Sequence, residues 1–153
     1  MDIVTFQNGE IIFRQGDVQD FMYSILSGTV GIYKDYGTVR ENKVAELEAG
    51  KFLGEMELVE EEPRSATAVA LSDYVQLEKI SDDNYLDFFE KNPIQVYLIM
   101  KQLSGHLRAT TRDYADACRT LDETLRIIET GETPSPELLE AQKRFRSAYS
   151  DEA

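Results

Sequence analysis

Short apolar runs separated by turn residues fill the first 80 positions of the chain. The runs are rich in Ile, Val, Phe and Tyr and lie at 11–13, 21–26, 30–33, 44–47, 67–70 and 74–77. Glycine-containing pairs, which suit turns with positive φ, separate several of them: Asn8-Gly9, Ser27-Gly28 and Ala49-Gly50. Short strands repeated every ~8 to 12 residues are typical of an antiparallel sandwich or barrel. We therefore predict a mainly β fold over residues 1–92, an antiparallel β-roll of the jelly-roll type with one short helix.

After Ser81 the apolar residues follow the period of a helix. Ser81-Asp82-Asp83 supplies capping oxygens for a short helix at 85–90. Asn92-Pro93 begins a second helix, since proline is tolerated in a first helical turn. We predict a long helix over 93–130, followed by a short C-terminal helix and tail over 131–153.

The long helix carries a heptad repeat from Met100 onward. One heptad position holds Met100, Leu107, Tyr114, Leu121 and Ile128, and the complementary position holds Leu103, Thr110, Ala117 and Thr124. Four such heptads indicate a coiled coil. A helix of about 36 residues would extend about 54 Å at ~1.5 Å per residue, which is longer than a domain this small can cover. We therefore expect a homodimer through this helix; the alternative is a helix that lies on its own β domain.

The charge of the chain argues against anionic partners. Its 153 residues, 42% of them apolar, suffice for one core, and they carry a formal net charge of -13. This negative field would repel nucleic-acid backbones and anionic lipids, so we expect no direct nucleic-acid or membrane contact. No apolar stretch is long enough for a membrane span and no signal peptide opens the chain, which predicts a soluble, cytoplasmic protein.

The single cysteine and the single histidine limit the chemistry further. Cys118 and His106 flank the heptad seam and are most simply packing or solvated residues. One His and one Cys cannot build a disulfide framework or a site of several such metal ligands, so we expect no metal site. Nothing organises the many carboxylates around a nucleophile or a cofactor, so we do not expect an enzyme.

The segment 50–67 carries the sharpest candidate chemistry. Gly54 and Glu55 begin a short apolar turn, and Arg64 and Ser65 enter the next strand. An arginine fork beside a hydroxyl suits a phosphate, and a carboxylate suits a sugar hydroxyl. Together they describe a pocket for a sugar phosphate. On chemistry alone the alternative is a surface ion pair between the Glu and the Arg.

The same segment resembles a known motif. Gly-Glu-x-x-Leu at 54–58, followed by Pro-Arg-Ser-Ala-Thr at 63–67, is similar to the phosphate-binding cassette of the cyclic nucleotide-binding domains. That family includes the catabolite activators, protein kinase A regulatory subunits and cyclic nucleotide-gated channels. Residues 6–17 and 21–30 also resemble the opening strands and glycine turns of the family. The chain is thus identified as a member of this family on its segment from about 4 to 80.

The resemblance implies a role for each pocket residue. Glu55 would accept a hydrogen bond from the ribose 2′-hydroxyl, Arg64 would neutralise the cyclic phosphate and Ser65 would donate to a phosphate oxygen. Gly54 would let the backbone come close to the ligand. The implied function is a non-enzymatic sensor that needs no cofactor and binds cAMP or cGMP as its ligand.

The resemblance also implies that the long helix is the dimer helix of the bacterial transcription-factor branch, where polar residues meet the base. Thr110 and Thr111 lie about where that contact is expected, and on this basis we favour cAMP over cGMP. The alternative is that a polar residue on a coiled-coil seam only sets its register.

Two departures from the family pattern stand out. Only about 25 residues follow Ile128, too few for the helix-turn-helix domain of the bacterial activators. Glu57 stands where the family usually has Ala or Gly, beside the phosphate loop. An inward-pointing Glu57 would weaken anion binding. This leaves a second hypothesis, a ligand-free dimeric module of the same fold that binds a protein partner.

Overall fold

The computed structural model describes residues 2–149, which form eight strands and four helices. The strands are β1 Asp2–Phe6, β2 Ile11–Phe13, β3 Phe21–Ser27, β4 Thr29–Lys34, β5 Asn42–Glu48, β6 Phe52–Leu53, β7 Thr67–Ala70 and β8 Val75–Ser81. The helices are α1 Glu55–Glu60, α2 Tyr85–Lys91, α3 Pro93–Thr130 and α4 Pro136–Tyr149. These residues divide into two compact units, one ending at Gln102 and the other beginning at Leu103.

Two four-stranded sheets make up the β part of the first unit. Their strand orders are β1-β8-β3-β6 and β2-β7-β4-β5, and all pairings are antiparallel. One core lies between the sheets, with Ile25 and Leu77 contributed by one sheet and Val30 and Ala68 by the other. The predicted antiparallel β-roll followed by a long and a short helix is confirmed.

A glycine fixes the tight turn between β3 and β4. Gly28 has φ +89°, and a Cβ there would lie 2.9 Å from both the Ser72 hydroxyl oxygen and a Val75 methyl carbon. The Ser72 hydroxyl oxygen accepts a hydrogen bond from the Thr29 amide at 2.9 Å. The turn therefore needs both the left-handed backbone and the missing side chain.

A second apolar cluster positions α1 beside the β-roll. Met22, Phe52 and Ile80 form its buried centre. Apolar side chains from three helices pack against that centre: Leu58, Tyr85, Phe88, Phe89, Leu98 and Ile99. This packing holds α1 and the first two turns of α3 in place, and α1 carries the buried carboxyl groups of Glu55 and Glu57.

The second unit contains the rest of α3 and α4. The Ser135 hydroxyl accepts the Leu138 amide at 3.1 Å and caps α4, and Leu138 is buried. Gln142 donates to the Thr124 hydroxyl at 2.7 Å, which joins α4 to the end of α3. At one heptad position of α3 the apolar residues are exposed, from 54% for Leu121 to 72% for Ile128; this set is Met100, Leu107, Tyr114, Leu121 and Ile128. Within residues 2–149, no helix combines the length and the apolar character that crossing a bilayer requires.

Candidate functional site

Arg64 lies at the entrance to β7, where backbone hydrogen bonds tie it to a neighbouring turn. Its amide donates to the Asp17 carbonyl at 2.8 Å, and its carbonyl accepts the Gly16 amide at 2.8 Å. These two bonds fix the backbone on either side of the side chain, so the arginine points into the first unit. Only 2% of the residue is exposed.

The chain itself supplies the partners of the Arg64 guanidinium. Nη1 donates to the Gly54 carbonyl at 3.1 Å, Nε to Gln19 Oε1 at 3.3 Å, and Nη2 to the Phe21 carbonyl. The group also lies 4.4 Å from the ring centre of Phe13, within cation–π range. Burial lowers the pKa of Arg64, and the charge of nearby acidic groups opposes that change. Arginine remains protonated in proteins, so the site holds a buried positive charge.

Gly54 makes room for this arginine. It has φ +73°, and a Cβ at this position would lie only 1.9 Å from Arg64 Nη1. Any larger residue would therefore combine a left-handed backbone with a clash against the guanidinium. The glycine is needed so that Arg64 can reach the carbonyl of residue 54.

Glu57 points inward and binds the same segment. Its Oε1 accepts the Ser65 amide at 3.0 Å and the Ser65 hydroxyl at 2.6 Å, and its Oε2 lies 3.7 Å from Arg64 Nη1. Burial alone would raise the pKa of Glu57. The hydrogen bonds from Ser65 and from its own amide, with the charge of Arg64, outweigh burial and lower that pKa. Glu57 is therefore a carboxylate at neutral pH.

Glu55 is the other buried carboxyl group of α1. It is 6% exposed, and one oxygen accepts Gln102 Nε2 at 3.3 Å. Burial raises the pKa of Glu55, and the negative charge of Glu57 adds to the rise. The backbone of Phe52 in turn holds the side chain of Gln102. Gln102 Oε1 accepts a hydrogen bond from the Phe52 amide at 3.0 Å, and Gln102 Nε2 donates to the Phe52 carbonyl at 2.9 Å.

The structure brings four of the six predicted site residues together. Gly54, Glu55, Arg64 and Ser65 lie in one site of the first unit, and Ser65 is exposed at its edge. The other two, Thr110–Thr111, belong to the second unit, where both are exposed. The Thr111 hydroxyl donates to the Leu107 carbonyl at 2.8 Å, the local bond common for threonine in helices. Their role in reading a base stays a prediction.

Several residues around the site were not among the predicted ones. Gln19 and Phe13 surround Arg64, and nothing in their local sequence marks them for that role. Gln102 carried a usable signal, because it follows Leu98 by four residues and so lies on the face of α3 that packs on the core. Within residues 2–149, no group of three or more His, Cys, Asp or Glu side chains has a metal-binding arrangement.

Comparisons with known proteins match the chain to one family. Residues 3–92 match the family model of the cyclic nucleotide-binding domain. The Cyclic AMP receptor protein of Thermus thermophilus is 32% identical over 103 residues, which make up 67% of this chain and 47% of that protein. The chain thus spans about half the length of this curated relative.

Two solved structures share the fold. The crystal structure of the Thermus thermophilus catabolite activator protein matches with a TM-score of 0.65 and 27% identity, over 87% of this chain and 65% of that one. A co-crystal structure of the regulatory domain of Toxoplasma gondii PKA with cAMP matches with a TM-score of 0.52 and 26% identity, over 67% of this chain and 38% of that one. Because the family model covers more than half of its residues, this chain belongs to the cyclic nucleotide-binding domain family.

Proposed function

We propose that this chain is a non-enzymatic sensor that binds a cyclic mononucleotide between Arg64, Ser65 and Glu55, and signals through the long helix. The observation that carries the proposal is the buried positive charge of Arg64 beside the exposed residue Ser65, whose amide and hydroxyl donate to the same carboxylate that pairs with Arg64. A buried positive charge beside a hydrogen-bond donor at an accessible edge is a site for an anion.

Each pocket residue has a role that its environment supports. Ser65 offers its amide and hydroxyl to the cyclic phosphate, and Arg64 supplies the compensating charge. Lys34 adds a second cation, since its ammonium donates to the Ser65 carbonyl. Glu55 accepts a hydrogen bond from the ribose 2′-hydroxyl. The hydrogen bond from Gln102 holds the Glu55 carboxyl group in position for this role.

The preferred ligand is cAMP rather than cGMP. A relative named Cyclic AMP receptor protein and a similar domain crystallised with cAMP support this choice. In the proposal, Thr110 and Thr111 of the long helix meet the base. Their hydroxyls would couple occupancy of the pocket to the position of α3.

The output is transmitted by a homodimer. Five apolar residues at one heptad position of α3 are exposed: Met100, Leu107, Tyr114, Leu121 and Ile128. A second copy of the helix would cover them by knobs-into-holes packing. The domain would act in the cytoplasm without binding nucleic acid directly.

A thermal-shift series tests the sensor directly. Ligand at about a hundred times its dissociation constant adds roughly 2.7 kcal/mol to the free energy of unfolding. We expect a rise in melting temperature with cAMP and a smaller one with cGMP at equal concentration. The absence of any shift with cAMP, cGMP or a cyclic dinucleotide would defeat the sensor.

The bonds made by Glu57 favour a second candidate. Its carboxylate already takes both donors of Ser65, so the site is satisfied without a ligand. A domain in this state would keep the fold and the dimer helix as a scaffold for a protein partner. It would form a constitutive dimer by light scattering and show no response to any cyclic nucleotide.

A further inference from the structure

Glu57 occupies the place where the proposed function puts the phosphate of the ligand. We propose that its carboxylate is a built-in anion of this subsite, so that a cyclic phosphate binds only by displacing it. This inference rests on the proposed function, because it concerns the same pocket. It makes Glu57 the residue that sets the affinity of the domain for anionic ligands.

The hydrogen bonds of the carboxylate support this assignment. One oxygen accepts both the amide and the hydroxyl of Ser65, and the other lies 3.7 Å from Arg64 Nη1. A phosphate in the subsite would need the same two donors and the same cation. The carboxylate and the phosphate therefore compete for one set of partners.

Charge prevents the two anions from sharing the site. Two like charges in contact inside a protein repel strongly, because the interior screens them far less than water does. A bound phosphate next to the present position of Glu57 would meet this repulsion and would find the donors of Ser65 taken. The side chain of Glu57 must therefore leave before the ligand binds.

Specific contacts, rather than crowding of acidic residues, hold Glu57 inward. Glu60, Glu61 and Glu62 follow on the same segment and are all exposed, whereas Glu57 is 8% exposed. An acidic side chain is seldom buried unless it is paired. The pairing with Ser65 and Arg64 is thus the reason for its position.

Glu57 also neutralises the charge of Arg64, an effect to which Asp17 contributes less. The hydrogen-bond acceptors of the Arg64 guanidinium, in Gly54, Gln19 and Phe21, are all uncharged. Breaking a buried ion pair by removal of one partner is costly, because it leaves the other charge unpaired. Removal of the Glu57 side chain should therefore open a vacant subsite that small anions can fill.

The test compares Glu57→Ala with Glu60→Ala in the full chain. Both variants lose one negative charge from α1, but the Glu60 side chain is exposed. In a buffer without phosphate, we expect Glu57→Ala to melt below the wild type. Inorganic phosphate should raise the melting temperature of Glu57→Ala above its value in sodium chloride at the same ionic strength. The melting temperatures of the wild type and of Glu60→Ala should be nearly the same in the two salts.

A second arm measures affinity for cAMP by titration calorimetry. We expect the dissociation constant of Glu57→Ala to be at least about tenfold below that of the wild type, and that of Glu60→Ala to change less than about twofold. Tenfold corresponds to about 1.4 kcal/mol, and the repulsion that the substitution removes is the reason for the gain. Equal affinity of the wild type and Glu57→Ala would overturn the built-in anion and leave the sensor standing.

Other outcomes separate the two proposals. A phosphate response of Glu57→Ala, with no cAMP or cGMP binding by any variant, would support the built-in anion and defeat the sensor. A folded Glu57→Ala that responds to neither phosphate nor cAMP would overturn both. If Glu57→Ala does not fold, Glu57→Gln replaces it in the test, because glutamine keeps the shape of the side chain and removes its charge. A response of Glu57→Gln to phosphate equal to that of the wild type would then refute the built-in anion.

Discussion

The carboxylate of Glu57 accepts both hydrogen-bond donors of Ser65, its amide at 3.0 Å and its hydroxyl at 2.6 Å. These donors are the ones that the proposed sensor offers to the phosphate of its ligand. The pair therefore links the stability of the free domain to its affinity, because the ligand must replace a bond that the fold already makes.

Replacement of the Ser65 hydroxyl should weaken ligand binding without unfolding the domain. Ser65 is exposed, and Ser65→Ala keeps the amide donor. Hydrogen bonds to charged groups contribute about 1.5–3 kcal/mol, but the free domain loses its own bond to Glu57 in the same variant. We therefore expect the cAMP dissociation constant to rise by less than the roughly tenfold that the loss of one such bond would give. Titration calorimetry measures this change. A matched control is Ser72→Ala, because the Ser72 hydroxyl accepts the Thr29 amide in the turn between β3 and β4. This variant should leave the affinity unchanged, and equal losses in both variants would argue against the role of Ser65.

Gly54→Ala should destabilise the domain more than Gly50→Ala. Both glycines have positive φ, +73° and +85°, so both substitutions strain the backbone by roughly 1–2 kcal/mol. A Cβ at residue 50 meets no atom within 4 Å, whereas one at residue 54 would collide with Arg64. Overpacking adds about 1–3 kcal/mol. Urea unfolding measures the free energy of unfolding of both variants. Equal losses of free energy would show that Arg64 does not need the space that a Cβ at residue 54 would fill.

The two buried carboxyl groups of α1, Glu55 and Glu57, should have opposite effects on stability as the pH falls. The pKa of Glu57 is below its ordinary value of 4.5, so its contribution is present above about pH 4.5 and is lost as the pH falls through the folded-state pKa. Glu57→Gln should therefore be less stable than the wild type at pH 7, and the difference should shrink in acid.

Glu55 should show the reverse. Its pKa is raised above 4.5 by burial, so its ionised form costs stability at neutral pH and its protonated form is favoured in the fold. Glu55→Gln should be at least as stable as the wild type at pH 7, and the two should converge as the pH falls toward 4.5. Urea unfolding between pH 7 and 4 measures both variants. A fall in stability of Glu55→Gln at pH 7 would show that the Gln102 bond outweighs burial.

Leu121→Glu should disrupt the proposed dimer. Leu121 is 54% exposed and lies on the heptad position that a second helix would cover. A charge at the centre of a coiled coil is unfavourable, so light scattering should detect monomers. Ala115→Glu places the same charge at an exposed heptad position that faces away from the seam and should leave the dimer intact. A monomeric wild type at high concentration would contradict the dimer itself.

The β-roll was predictable because its signals are local. Each strand and turn, such as the one at Gly28, is specified by a few adjacent residues. The long helix was predictable for the same reason, since Pro93 and the apolar period mark it in the sequence. The expected fold and the family resemblance therefore agree with the structure and the comparisons.

The interior of the site depends on contacts between distant residues. Gln19 reaches Arg64 across 45 positions, and Gln102 reaches Phe52 across 50. The sequence raised the question of whether Glu57 points inward but could not answer it, because the answer depends on the positions of Ser65 and Arg64. Backbone hydrogen bonds to Gly16 and Asp17 place Arg64, and these partners are more than 40 positions away in the sequence.

Titration of the wild-type protein with cAMP tests the central claim most directly. The sensor predicts saturable binding of one cAMP per chain, weakened in Ser65→Ala and strengthened in Glu57→Ala. No binding of cAMP or cGMP by the wild type or by Glu57→Ala, in samples shown to be folded, would contradict it.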